Sequence, residues 1–517
     1  MRQIAKAVGL TKDSVARSLA ALASRNKYPE SHFWETEEGQ AWLRLLVSGT
    51  LYVFGLKGNQ GAERISEFFK LIRINSPVGV SPSALRTKVR QMEELLVEFG
   101  QMQEEKQRQK GGAGPEIVGS GDETWFNGKM VLVLMDLVSG YLVLEEEAAD
   151  RSYETWEAKA QARLKQLGLG VRHFISDRGK SLVKLATASF GCLAGADIFH
   201  AQYDISKWLG RSLHGKFGRA SKQLKGAEQK KASLEQKQAA PEEIGQQEQC
   251  IEQGQQKLKG LEEGRQAYHQ AQRSVSATVH AFSVEQNRPQ TSEQVENRLE
   301  EQAQRFEQIA QEQSVPDNKD VVGKFRRQIK DVASIVDAWW LWTKQSLESG
   351  LTTELRSWLL QILLPLIYWH HQLHKTQNPE MKKLYEIALR KAQLAYAAHP
   401  VTRTISKKDL DRWRSWADWD SNNFHRASSA VEGRNGCLSQ SYHNGRGLTN
   451  RRLKALTTIH NYDTRRHDGS TPAERLYGEQ FPDLFEWLLG QMGALPLPRK
   501  ARQRIAPNPL DFKPVAA

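Results

Sequence analysis

Apolar residues follow two kinds of pattern along this chain, and the change from one to the other divides it. Through residues 1–100 they recur every three or four positions, the spacing that gives a helix one apolar stripe. In RQIAKAVGLTKDSVARSLAAL, Ile4, Val8, Val15 and Leu19 are expected to face inward, with Gly9 making a tight turn and Thr11 capping a second helix. A second such segment is GAERISEFFKLIRINSPVGVSPSALRTKVRQM. There Ile65, Phe68, Phe69 and Ile72 form the expected inner face, Ser81 the N-cap and Pro82 the first helical residue. Each reads as a helix-turn-helix module, over residues 1–58 and 59–100. Lys12, Ser14, Arg17 and Ser18 of the first and Arg86, Lys88 and Arg90 of the second are left outward. Short polar and cationic groups of this kind suit a DNA groove or backbone, although a helical bundle with solvated charge fits the same pattern.

Charge and glycine then take over in EEKQRQKGGAGPEIVGSG, so residues 101–120 read as a linker. From Asp122 the period shortens to that of strands. DETWF is a short strand, and KMVLVLMDLVSGYLVLEEE is a hairpin in which Val131 to Leu134 form a buried run, Ser139 and Gly140 turn the chain, and Tyr141 to Leu144 return it. A helix is expected from Ser152 to Leu167, followed by VRHFISDRGKSLVKLA, a strand ending at Asp177 with a helix after it. Strand, hairpin, helix, strand is the opening of a ribonuclease-H-like α/β sheet, in which the first and fourth strands are neighbours and ligands gather at strand ends.

Far more chain separates Asp177 from VEGRNG at Glu432 than one crossover needs. Residues 223–330 are rich in Gln, Glu and Lys, and Ile244, Ile251 and Leu258 recur every seven positions, with Leu261 and Tyr268 at the complementary position. Val295, Leu299, Phe306 and Ile309 repeat the theme in a second arm, so a helical, coiled-coil-like insertion is expected. The first part of the α/β domain is thus 121–222 and its second part, with a helical region, 331–482; residues 483–517 form a basic tail. Trp339, Trp340, Trp342, Trp358, Trp369, Trp413, Trp416 and Trp419 are expected chiefly as core. WLLQILLPLIYW, interrupted by Gln361 and Pro365, is too short to span a bilayer and reads as a buried helix.

A formal charge of +13 over 517 residues favours a polyanionic partner. Cys192, Cys250 and Cys437 are odd in number and far apart, which supports neither a disulfide framework nor a cysteine zinc site. No signal segment or membrane anchor is evident, and a bacterial cytoplasmic, nucleoid-associated setting is the expectation. Lys207 and Arg211, in a stretch with His200, Asp204, Tyr203 and Trp208, suit DNA backbone, as do Arg446, Arg451, Arg452, Lys454, Arg465 and Arg466 further on.

Three carboxylates carry the candidate chemistry: Asp122, Asp177 and Glu432. Gathered on one scaffold, they could hold two hard divalent cations over a phosphodiester. Each has a rival. Asp136 borders an apolar run but precedes a turn and reads better as its closure, Glu123 alternates to the opposite face, and Asp418 and Asp420 compete with Glu432. Glu432 is preferred because Arg434, Asn435 and Ser439 surround it with groups suited to phosphate. His200 and Asp204, one helical turn apart, could bind metal or simply hydrogen-bond.

DETWF, MDLVSGYLV, SDRG, VEGRNG and HNYDTRRHDGSTPAERLYG together resemble the DDE transposases of bacterial insertion sequences, over roughly Gly121 to Gly478 apart from the insertion. The resemblance implies that Asp122, Asp177 and Glu432 are the catalytic triad and hold two Mg2+ ions, with Mn2+ as a substitute. It further implies that the protein binds double-stranded DNA at element ends and target, acts as a homodimer or higher assembly, and catalyses strand cleavage and strand transfer. A DNA-binding protein that has lost cleavage, or a structure-specific nuclease, would share many of these features.

Overall fold

The structure, a computed structural model, describes residues 1–25, 32–111, 114–126, 128–316, 319–445 and 447–497. In chain order the helices α1 Arg2–Ala7, α2 Lys12–Arg25, α3 Glu37–Thr50, α4 Ala62–Leu71 and α5 Pro82–Gln109 come first. Strands β1 Glu116–Phe126, β2 Lys129–Asp136 and β3 Leu142–Ala148 follow, then α6 Tyr153–Leu167, β4 Gly170–Ser176, α7 Lys180–Lys184 and β5 Leu193–Ala196. The rest is helical: α8 Ile198–Ile205, α9 Arg211–Gln236, α10 Pro241–Thr278, α11 Ser292–Glu312, α12 Val321–Ser346, α13 Thr353–Trp358, α14 Leu364–Lys375 and α15 Pro379–Ala398. It ends with α16 Pro400–Thr404, α17 Lys407–Asn422, α18 Ser429–Gly445, α19 Asn450–Tyr462, α20 Pro472–Tyr477 and α21 Leu484–Gln491. Two compact units result, one of Met1–Lys110 with Gly436–Ala517 and one of Gly111–Asn435.

In the first unit, Gly9 takes φ +63 between α1 and α2, and the Thr11 hydroxyl accepts from Ser14 N at 3.1 Å, as turn and cap require. The expected inner face is narrower than the sequence suggests. Val15 and Ala5 are buried, whereas Ile4, Val8 and Leu19 are exposed, because two short helices share only a small contact. Likewise Ile65 and Phe69, one turn apart, are buried while Phe68 and Ile72 stay largely outside. Ser81 caps α5 through Ala84 N at 3.4 Å. Helix α5 then runs without a break to Gln109, so much of the expected linker 101–120 is the last two turns of a helix and the start of β1. Leu85, Met92, Leu96 and Phe99 along α5 are buried; Phe99 packs edge-on against Tyr462 of α19 and Trp487 of α21. At Gly100 a Cβ would stand 2.7 Å from Thr458 Oγ1, so the backbones of α5 and α19 approach too closely for a side chain there.

The second unit is built on a five-stranded sheet in the order β3-β2-β1-β4-β5. β1 is antiparallel to β2 and β2 to β3, whereas β1 runs parallel to β4 and β4 to β5. Asp136 closes the β2–β3 hairpin: its buried carboxylate accepts from Ser139 N at 2.8 Å and from Val118 N at 3.1 Å. β1 starts earlier than expected, because the Gly-rich EIVGSG is strand; a Cβ at Gly119 or Gly121 would meet the Phe174 ring at 3.0 Å. Trp156 of α6 is fully buried beside Gly121 on that face. Ile335 of α12 lies beside Gly195 of β5 on the other.

Helices α9 and α10 form a hairpin, but its heptad residues Ile244, Ile251 and Leu258 are only half-buried. Apolar burial on α10 begins at Leu261, and Tyr268, Ala271 and Val275 beyond it join the main helical core. α11 is no second arm: Val295, Leu299, Phe306 and Ile309 sink entirely into the main helical core with α12, so the boundaries 223 and 330 both fall inside helices. Trp339, Trp340, Trp358, Trp369 and Trp413 are core, while Trp419 is exposed. Among the described residues no helix is long and apolar enough to cross a membrane.

Asp420 is one rival for the third carboxylate, and its surroundings remove it from contention. Its side chain is fully buried in α17, where Oδ2 accepts from Thr343 Oγ1 at 2.8 Å and Oδ1 has no partner. Burial raises its pKa to about 7, against the opposing pull of the Thr343 hydrogen bond and the charge of Arg172. An acid whose folded pKa is raised contributes stability below its unfolded value and loses it as pH rises through the folded one. Stability should therefore fall between about pH 4 and pH 7, by on the order of 4 kcal/mol from this group. Asp420→Asn should flatten that slope and raise the thermal midpoint at pH 8 with little effect at pH 4; parallel pH curves for the two proteins would refute this.

Candidate active site

The last paired residues of β1 and β4 in register are Ser120 and Ile175. Two positions further on, the same face of the diverging strands presents Asp122 and, just past the end of β4, Asp177. Side chains at matching positions of adjacent parallel strands point the same way, about 4.8 Å apart along the hydrogen-bonding direction. The sheet topology alone thus makes neighbours of two acids that lie on separate strands. Asp122 is partly sheltered: Oδ1 accepts from Glu123 N at 2.9 Å and Oδ2 from Asn435 Nδ2 at 2.7 Å. Burial, and to a lesser extent the negative charges of Asp177 and Glu123, push its pKa up to about 6. Asp177 is exposed, with Oδ1 accepting from Gly179 N at 2.8 Å across a turn in which Arg178 has φ +69.

Glu432 rides on α18, which is docked against the same row of the sheet through its neighbours Arg434 and Asn435. Asp122, Val133 and Glu145 lie side by side in one row across β1, β2 and β3. The row's outer member, Glu145, is fully buried and takes a two-point salt bridge from Arg434, Nε to Oε1 at 2.6 Å and Nη2 to Oε2 at 2.7 Å. Asn435 holds the inner member, Asp122. Glu432 is three residues before Asn435 and shares its helix face. Its Oε1 stands 2.8 Å from His200 Nε2 on α8.

One buried acid organises both helices. Asp197 Oδ1 accepts from Phe199 N and His200 N, capping α8, and Oδ2 accepts from Ser428 N and Ser428 Oγ at the start of α18. Upstream, Arg426 is clamped by donating to Val279 O at 3.1 Å and to Tyr385 Oη at 3.0 Å, and its own carbonyl accepts from Ile198 N at 3.1 Å. The entry to α18 is therefore fixed from several sides.

Potential ligand atoms of Asp197, His200 and Glu432 lie within 4.8 Å of one another. Asp197 is nevertheless a poor cation ligand, since a carboxylate offers about four lone-pair sites and all are engaged by hydrogen bonds. The other donors suit a divalent cation better. Asp122 and Asp177 concentrate negative charge, Glu432 and His200 are each 39% exposed, and Asn435 Oδ1 is buried with no donor to satisfy it. Asp122 and Asp177 lie outside the group formed by Asp197, His200 and Glu432, but the unsatisfied Asn435 oxygen sits on the residue bonded to Asp122, and oxygen donors of this kind suit hard cations and their water.

The rival acids lie elsewhere. Asp136 closes its turn, Glu123 pairs with Arg151 at 3.0 Å, and Asp418 pairs with His371 at 2.7 Å. His200 bonds to Glu432 rather than to Asp204, which is exposed. Sequence reasoning missed that pairing, the Asn435 bond and the Asp197 cap. The motif DIFHAQYD does carry a cap signal at Asp197, but nothing local ties His200 to a residue so distant in sequence.

The cations expected to face DNA divide sharply. Lys12, Arg90, Lys207, Arg211, Lys454 and Arg466 are exposed, and Lys207 lies 5.8 Å from the Tyr203 ring. Arg86 is exposed but pairs with Glu63, Lys88 donates to Gln91 at 3.0 Å, and Ser14 is tied into the Thr11 cap. Arg465 donates to Gly469 O at 2.8 Å. Arg17 lies within α2, and Arg446 falls outside the described residues. Arg434 needs correction, because its guanidinium is committed to buried Glu145. So do Arg451 and Arg452: both pair with Glu93 of α5, and Arg452 also donates to Gly55 O at 2.6 Å. These arginines hold their own unit together.

Residues 359–504 match a family of unknown function (DUF6399). Neither the curated proteins nor the solved structures contain a match to the chain.

Proposed function

We propose that this protein is a metal-dependent DNA transposase that cuts and joins strands through Asp122, Asp177 and Glu432 on a ribonuclease-H-like domain. The observation that carries the reading is the pairing of Asp122 and Asp177 at the ends of neighbouring strands, with the helix that bears Glu432 tied to Asp122 through Asn435. Asp122 and Asp177 leave adjacent parallel strands, and α18 brings in Glu432 through the Asn435–Asp122 and Arg434–Glu145 bonds. The strand order β3-β2-β1-β4-β5, with β1 parallel to β4, supports the fold assignment, since it is the order expected of a ribonuclease-H-like sheet. The net charge of +13 supports nucleic acid as the substrate, and the helix-turn-helix pair α1–α2 supports recognition of defined ends.

Two divalent cations, Mg2+ or Mn2+, would activate the attacking oxygen and stabilise the leaving one in an in-line displacement at phosphorus. Asp122 and Asp177 would hold them from the sheet and Glu432 from the helix. Asn435 keeps Asp122 oriented, and Arg434 fixes the helix that carries Glu432. Water as nucleophile gives a nick; a 3′-hydroxyl gives a joined product. A homodimer or higher assembly would let two element ends be handled together.

Incubating the full-length protein with double-stranded DNA that includes the element's ends provides the test. Nicking at an end that requires Mg2+, followed by joined product, is expected. Nicking without joining would indicate a nuclease, and end binding without any cleavage in Mg2+ or Mn2+ would overturn the enzymatic reading.

A further inference from the structure

We infer that His200 Nε2 is itself a metal ligand, sharing one cation with Glu432, so that the centre is a mixed nitrogen–oxygen site that favours Mn2+ over Mg2+. This rests on the metal-dependent reading above and adds a residue to it. The spacing fits: donors on bonds of about 2.1 Å that meet at a right angle lie about 3 Å apart, and His200 Nε2 stands 2.8 Å from Glu432 Oε1. The pair is also held ready. Asp197 caps α8 at His200 N and caps α18 at Ser428, so a single buried carboxylate sets the separation of the two helices that carry the donors. His200 is 39% exposed, enough for an ion to reach it.

The alternative role, a hydrogen bond that merely positions Glu432, predicts different chemistry. Oxygen-only sites suit Mg2+, which binds nitrogen poorly, whereas one imidazole moves preference toward Mn2+ and the later transition ions. Loss of a ligand or of the group that orients it typically lowers metal affinity by about 10–100-fold. If His200 ligates, that loss falls on Mn2+ and largely spares Mg2+. A positioning role weakens both ions alike.

The test titrates Mn2+ into the full-length protein without DNA, following binding by electron paramagnetic resonance and measuring Mg2+ by competition. Wild type should bind Mn2+ with a 14N hyperfine coupling from imidazole. His200→Ala should lose that coupling and bind Mn2+ at least about tenfold more weakly, with Mg2+ affinity changed less than about threefold. The nitrogen signal is read in unmodified protein, so the inference stays testable even if the variant folds poorly. Mn2+ that binds and is weakened by Asp122→Asn, but shows no nitrogen coupling, would overturn the His200 assignment and leave the carboxylate centre standing. Absence of any Mn2+ binding sensitive to Asp122→Asn would overturn both.

Discussion

Asp177→Ala should eliminate metal-dependent nicking while leaving the protein as stable as wild type. Asp177 is exposed and its one described hydrogen bond is accepted from Gly179 N across a turn, so the fold asks little of it. Its proposed role in holding a cation asks much more. Metal stabilisation of the transition state is worth several kcal/mol, and at about 1.4 kcal/mol per decade its loss slows cleavage about a thousandfold. Initial rates of end nicking and thermal midpoints, measured on the same preparations, separate the two effects. A variant that nicks at more than about a tenth of the wild-type rate would remove Asp177 from the chemistry.

Arg434→Met should destabilise the second unit by about 3–5 kcal/mol, because it removes the two-point salt bridge to the fully buried Glu145. The same change loosens α18, on which Glu432 and Asn435 ride, so nicking should fall even at temperatures where the protein is still folded. Adding Glu145→Leu removes the buried charge as well and should restore most of the stability, since buried pairs are often replaceable by well-packed apolar groups. Denaturant unfolding of the single and double variants reads both effects. Wild-type stability in Arg434→Met would mean that the bridge does not dock the helix.

The strand chemistry was legible because it is local. The apolar run Val131 to Leu134, the turn at Ser139 and Gly140, and VRHFIS before Asp177 all signal their elements by pattern, and the structure has strands at the two apolar runs with the turn between β2 and β3. Asp136 as a hairpin closure and Glu123 on the opposite face also follow from strand alternation and turn chemistry. Boundaries were harder to read. EIVGSG resembles linker because its glycines answer the Phe174 ring, a neighbour contributed by another strand. EEKQRQK likewise resembles linker because the polar end of α5 carries few buried groups of its own.

At the candidate site, sequence proposed the acids but gave no sign of the residues that hold them. His200 with Glu432, Asn435 with Asp122 and Arg434 with Glu145 each join parts of the chain that only the fold brings together. Arg434, Arg451 and Arg452 show the complementary error. Arginines close together in sequence look like a DNA surface until each is seen to pair with a buried acid of its own unit, Arg434 with Glu145 in the second and Arg451 and Arg452 with Glu93 in the first.

Anomalous scattering from Mn2+ soaked into crystals of the protein is the most direct measurement. Two peaks about 3.5–4 Å apart, both within bonding distance of Asp122, with Asp177 and Glu432 each completing one of them, is the expected result. Manganese found only at other acids, with Asp122 and Asp177 left bare, would contradict a cation centre at this corner of the sheet.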